Sequence, residues 1–202
     1  MIKISGVIIT YNEEEHLEKC LASLVDVVDE ILVVDSYSTD NTNAICENYP
    51  VTFIQQEFLG YKEQKNFAVE QAKYDYILSL DGDEALSDTL KTSILKVKND
   101  WKYPGYYCNR KNNYCGQWIH HSDWYPDKKF RLWDSRKGRW EGTNPHDEYI
   151  LKKGSKLKHL KGDILHYSYN SINDHIRQVN YFTDISAKAN LLKGKKSNLL
   201  KI

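Results

Sequence analysis

An α/β fold, with a mostly parallel mixed sheet flanked by helices, is what this chain predicts. Three observations carry the expectation. Apolar, β-branched runs alternate with runs of helical period through the first hundred residues. Each apolar run ends on polar or acidic residues. No apolar tract approaches the roughly 20 residues of a membrane-spanning helix. Regular alternation of strand and helix implies parallel strands joined by right-handed crossovers.

The elements follow in order. Ile4 to Ile9 reads as a buried strand. Asn12, with Glu15 three residues on, has the spacing of a capping box, and Leu17, Cys20, Leu21 and Leu24 then recur on one helical face. Ile31 to Val34 is a second strand, ending at Asp35, and a polar loop from Ser36 to Asp40 leads into a short helix through Ile45. A strand from Val51 to Ile54, a helix near Tyr61 to Lys73, and a strand ending at Asp81 come next. Ser87 caps a further helix with Leu90, Ile94 and Val97 on one side. Beyond Trp101 the chain turns rich in Tyr, Trp, Gly, Asn and Lys, with short β-like pieces at 105–108, 129–133 and 164–167. This reads as a loop-rich second half that completes the sheet and walls a pocket. Ser171 and Asp174 start a last helix, with Ile172, Ile176, Val179, Phe182 or Thr183, and Ala187 expected inward. The expected organisation is one domain over 1–202: a ligand-binding half at 1–100, a pocket-wall segment at 101–170, and a terminal helix with a basic tail at 171–202.

Composition narrows the partners. Lys+Arg 28 balances Asp+Glu 28, so no overall field draws nucleic acid. Cys20 and Cys46 fall in helices as small apolar groups; Cys108 and Cys115, with His120 and His121, match no familiar zinc spacing. The opening Met1-Ile2-Lys3-Ile4 runs straight into a strand, so no signal peptide is expected.

The chemistry concentrates at strand ends. Thr10-Tyr11-Asn12-Glu13, Asp35-Ser36, Gln55-Gln56 and Asp81-Gly82-Asp83 all leave a parallel sheet on one edge, where open α/β sheets bind ligands. Asp81 and Asp83 are two residues apart and can reach one hard cation, which would share itself with phosphate oxygens. Asp35 suits a bond to a nucleoside, with a helix cap as the competing reading. No dinucleotide fingerprint or P-loop is present, so any nucleotide is held by side chains and metal.

Three segments in order, Ile8-Ile9-Thr10-Tyr11-Asn12-Glu13, Ile31 to Thr42 and Leu80-Asp81-Gly82-Asp83-Glu84, resemble the inverting family 2 glycosyltransferases of GT-A fold. The segments 118–127, 131–133, 140–147 and His166-Tyr167 resemble the branch that builds bacterial lipopolysaccharide cores. The resemblance implies transfer of a sugar, glucose foremost, from a UDP-sugar to a lipopolysaccharide core or other cell-envelope glycan or glycolipid, with Mg²⁺ or Mn²⁺. It implies Thr10, Asn12 and Glu13 lining the nucleotide pocket and Asp35 on uracil or ribose. Lys62 or Lys65 would reach base or diphosphate, with a solvated surface as the alternative. Asp81 would lie near ribose and sugar, sharing the cation with Asp83. His166 is either a third metal contact or a core histidine. The base is Asp147 first, with Glu148 and Glu141 as rivals and a structural ion pair as the alternative. Trp124, Tyr125 and Arg131 form the acceptor wall, while Trp133 and Trp140 are core. The lysines near the end suit anionic headgroups, so a cytoplasmic protein touching the inner membrane is expected. A sugar-phosphate nucleotidyltransferase and a silent nucleotide-sugar-binding module are the rival functions.

Overall fold

The computed structural model describes residues 1–143, 146–151, 154–192 and 194, with the backbone alone at 143, 146, 147 and 192. The first half runs β1 (Ile4–Thr10), α1 (Leu17–Leu24), β2 (Glu30–Asp35), α2 (Thr42–Cys46), β3 (Val51–Gln55), α3 (Tyr61–Gln71), β4 (Tyr76–Asp81), β5 (Glu84–Leu86) and α4 (Asp88–Asn99). The second half runs β6 (Gly105–Tyr114), β7 (Gln117–Trp118), β8 (Asp127–Asp134), β9 (Gly138–Thr143), β10 (His146–Leu151), β11 (Lys158–Tyr169) and α5 (Ile172–Leu192).

Strand order in the main sheet is β3-β2-β1-β4-β8-β6-β11-β5, with β7 beside β6. β3, β2, β1 and β4 pair in parallel, as the alternation predicts. β8 enters antiparallel between β4 and β6. β11 then lies parallel to β6 and antiparallel to β5. The short pieces foreseen in the second half lie within longer strands.

Alternation along the strands divides the core. Ile4, Ile8, Leu78 and Leu80 face α1 and α4 through Leu17, Leu21, Leu90 and Ile94. Val7, Leu32, Val34 and Ile77 face the other way, onto Ala68 of α3, Trp133, Trp140 and Tyr149. Leu80 is fully buried, so Leu80→Ala would cost about 2–5 kcal/mol. The β9–β10 hairpin is pinned to α3 by Asn66, whose side chain donates to the Trp140 carbonyl (3.0 Å) and accepts from its N–H (3.1 Å).

Two local expectations fail. Asn12 does not cap α1: it sits in the left-handed region (φ 54°), and its Oδ1 accepts from Thr39 N–H at 2.9 Å. Asparagine tolerates that backbone because its short polar side chain bonds locally. The inward face foreseen for the last helix is also wrong in part. Ser171 does cap it, accepting from Asp174 N–H. Yet Ile172, Ile176 and Val179 are 63, 55 and 49% exposed. The helix instead turns His175 onto Tyr169 (ring centroids 4.4 Å) and Phe182 toward Tyr61 (6.5 Å).

Candidate active site

The carboxyl ends of β1, β2 and β4 meet at one edge, as register requires: Thr10 pairs with Asp35 and Ile9 with Asp81. The loops after β1 and β2 are laced together. Asn12 N–H donates to Ser38, Glu13 N–H to Thr42 (2.9 Å), and Glu14 N–H to Asp40 (3.0 Å). Asp35 is fully buried. It accepts from the Ser38 N–H at 2.9 Å and from the Ser38 hydroxyl, so it caps its own loop. Tyr11 and Tyr37 stand more than half exposed beside it.

The turn Asp81-Gly82-Asp83 has two unlike flanks. Asp81 accepts at Oδ2 from Arg131 (2.7 Å), while its Oδ1 is buried without a partner among the described residues. Burial works against the Asp81 charge, but Arg131, Lys65 and Arg110 outweigh it and hold the carboxyl well below the usual range. Lys65 also lies 4.5 Å over the Trp140 ring, and Lys62 pairs with Glu63 at 2.9 Å.

Asp83 faces the other way. Its Oδ2 lies 3.1 Å from His166 Nε2. His166 Nδ1 lies 2.6 Å from Asn112 Oδ1 and 2.9 Å from Ser168 Oγ. Asn112 and Ser168 fix the imidazole through Nδ1, so that Nε2 meets the Asp83 carboxylate at hydrogen-bonding distance. Among the described residues, no three His, Cys, Asp or Glu side chains converge as a ready metal cluster, zinc included.

Glu13 closes the corner. A methyl at Gly82 would meet Glu13 Cγ at 2.9 Å and Thr10 Oγ1 at 3.0 Å, so both side chains press on the turn. Burial first, then the charges of Asp83, Asp81 and Asp40, push the Glu13 carboxyl up to about 8. Thr10 Oγ1 is likewise buried without a partner among the described residues.

The second half supplies the walls. Trp124 rests against Tyr114, Tyr169 and His175, and the Tyr125 hydroxyl donates to Asp163 at 3.1 Å. Arg131 does not join an open wall: it is 5% exposed and committed to Asp81 and Glu84. Trp133 and Trp140 are core. In the hairpin, Glu148 stands opposite Glu141 and Tyr149 opposite Trp140. Glu141 and Glu148 therefore share the face opposite the buried aromatics, and Glu141 pairs with Arg139 at 2.7 Å. Asp147 is placed opposite Gly142 by its backbone; its side chain lies outside the described residues, as do lysines 193, 195, 196 and 201. Sequence reasoning missed Asn112, Ser168 and Glu84 as partners of the site. Glu84 was signalled by its position directly after the acidic pair, and Ser168 by its place two residues after His166 in one strand.

Comparison with known proteins gives the frame. A family model, Glycosyl transferase family 2, matches residues 5–161. An uncharacterized glycosyltransferase of Rickettsia bellii is 31% identical over 99% of this chain and 71% of its own length. A lipopolysaccharide core biosynthesis glycosyltransferase, LpsC of Rhizobium meliloti, is 28% identical over 100% of this chain and 76% of its own length. Among solved structures, S. aureus TarS 1-349 in complex with UDP-GlcNAc superposes with TM-score 0.53 at 20% identity, over 66% of this chain and 46% of that one. That last likeness speaks for the fold, and the chain spans about half of the TarS fragment. Family match, relatives and strand-edge geometry agree: the chain belongs to glycosyltransferase family 2.

Proposed function

We propose that this family 2 glycosyltransferase moves a sugar, with UDP-glucose the first donor to test, onto a lipopolysaccharide core or related cell-envelope glycan, with inversion and with a divalent cation. The observation that carries the reading is the Asp83–His166 pair at the ligand edge, 3.1 Å apart, beside Glu13, whose carboxyl is pushed up by burial first and by neighbouring carboxylates second. The carboxylate suits Mg²⁺ or Mn²⁺, and the imidazole favours Mn²⁺ of the two. Asp83 and His166 would hold the cation, and Asn112 orients the imidazole. When bound there, the cation would neutralise charge on the departing diphosphate.

The remaining roles belong to the chain. Thr10, Asn12, Glu13 and Asp35 frame the nucleotide pocket, with Tyr11 and Tyr37 offering flat surfaces for a base. Asp81 accepts from donor hydroxyls, and Lys65 brings positive charge to the same corner. Asp147 takes the proton from the attacking acceptor hydroxyl. Strand alternation supports it over its rivals: position 147 is in step with Tyr149 by register, whereas Glu141 and Glu148 are on the other face. Trp124 and Tyr125 shape the acceptor side. UDP-GlcNAc in TarS and the core-biosynthesis role in the name of LpsC support donor and acceptor class.

Incubation with UDP-glucose and Mn²⁺ should release UDP, faster with a core oligosaccharide acceptor. A demand for nucleoside triphosphate would favour a nucleotidyltransferase, and UDP binding without turnover a silent module. We place the site near a membrane. No helix among the described residues is long and apolar enough to cross one. The exposed Ile172, Ile176 and Val179 of α5 precede a stretch, 185–202, with five lysines and no acid, a composition suited to an anionic surface. Co-sedimentation with anionic vesicles, lost in Ile176→Asp, tests this.

A further inference from the structure

We infer that Arg131 and Glu84 are a buried positioning pair that fixes the orientation of Asp81 and thereby sets donor affinity. The inference rests on the reading of Asp81 as a donor contact.

The geometry is specific. Glu84 is fully buried and Arg131 is 5% exposed. One guanidinium nitrogen, Nη2 of Arg131, lies 2.7 Å from Asp81 Oδ2 and 2.8 Å from Glu84 Oε1. Glu84 also accepts the Asp81 N–H at 3.2 Å through Oε2. Side chain and backbone of Asp81 are thus tied to the same pair. Arg110, itself paired with Asp127 at 2.9 Å, reaches Glu84 Oε1 at 3.4 Å from the far side. Arg131 is carried by β8, which is hydrogen-bonded to β4 at Tyr76, Ile77 and Leu78. The pair therefore couples the catalytic turn to the strand that joins the two halves of the sheet.

Stability alone gives a poor reason for this arrangement. Apolar residues of similar volume replace buried ion pairs at little cost, or with gain. The bonding is also incomplete in an informative way. Asp81 Oδ1, Arg131 Nε and Thr10 Oγ1 are all buried and unpartnered among the described residues. Buried polar atoms left open call for an explanation, and here they gather at one corner of the ligand edge. One Asp81 oxygen is locked by arginine, and the other awaits a hydroxyl. Nη2 of Arg131 occupies Oδ2 and leaves Oδ1 to face the ligand edge, so the pair sets where a donor hydroxyl meets the carboxylate. Lysine would preserve the charge, but its ammonium stands on a different stem and does not carry a donor to the Nη2 position between the two carboxylates.

Steady-state UDP release with UDP-glucose and Mn²⁺ tests the pair. Arg131→Lys should raise the donor KM about 10–100-fold, the span of one charged hydrogen bond. It should leave kcat within about threefold, and the Mn²⁺ concentration for half-activation should not move. Glu84→Gln should shift KM the same way by less. Unchanged donor KM in a folded Arg131→Lys, or a shift confined to the Mn²⁺ requirement, overturns the inference. Loss of the folded state in both variants overturns it too, because the pair is then structural. A wild-type protein without turnover would instead overturn the proposed function, which separates the two failures.

Discussion

The two flanks of one three-residue turn are worth setting side by side. Asp81 faces α3 and β8 and meets Arg131, with Lys65 and Arg110 adding positive charge. Asp83 faces β11 and meets an imidazole, with an amide and a hydroxyl behind it. Two chemically identical side chains, two residues apart, are thus given different work by their surroundings. The cationic flank already balances its carboxylate, so it has least need of a metal. The other flank sets its carboxylate against an imidazole at 3.1 Å. Sequence reasoning had assigned the cation to both.

The sharpest way to break this contrast is to remove one carboxylate at a time. Asp83→Ala should cost about a thousandfold in Mn²⁺-stimulated transfer, whereas Asp81→Asn should raise donor KM and keep the same Mn²⁺ requirement. Matching Mn²⁺ titrations for both variants would erase the distinction. A second test asks which hairpin face serves the acceptor. Asp147→Asn should bind UDP normally and lose about 10²–10⁴ in transfer, while Glu148→Gln and Glu141→Gln stay within about threefold. A large loss in either glutamate variant moves the base to the outer face. The smallest effect is on stability. The Glu13 carboxyl is raised from 4.5 to about 8 in the folded protein. Its contribution is therefore complete below about pH 4.5, falls as pH rises, and is gone above about pH 8. Melting temperature should decline by several degrees from pH 5.5 to 8.5, and Glu13→Gln should flatten that slope. An equal slope in the variant would show that the acid crowd is not felt at Glu13.

The same contrast shows what could be read in advance. The parallel half was legible because strand and helix periods are local signals, and strand ends with acids fall on one edge by topology alone. Asp35, Asp81 and Asp83 were found that way. Arg131 was misassigned because it was read as a charged residue near aromatics. Its place directly before Leu132 and Trp133, in a run buried on both faces, was the clue to its burial. Asn112 was invisible, since it meets His166 through the pairing of β6 with β11, whereas Ser168 follows His166 by two residues on β11 and shares its side. The last helix misled because its apolar row was taken as a face turned to the core, while contact through His175 and Phe182 rotates that row outward.

Gly82 sets a practical rule for anyone reshaping this enzyme. The middle of its acidic turn is a wedge point, with Glu13 and Thr10 already against the backbone there. Even a methyl would prise the first loop from the fourth strand and carry off the floor on which both aspartates stand. Libraries aimed at new donors should hold that position fixed and spend their diversity on the open tyrosines instead.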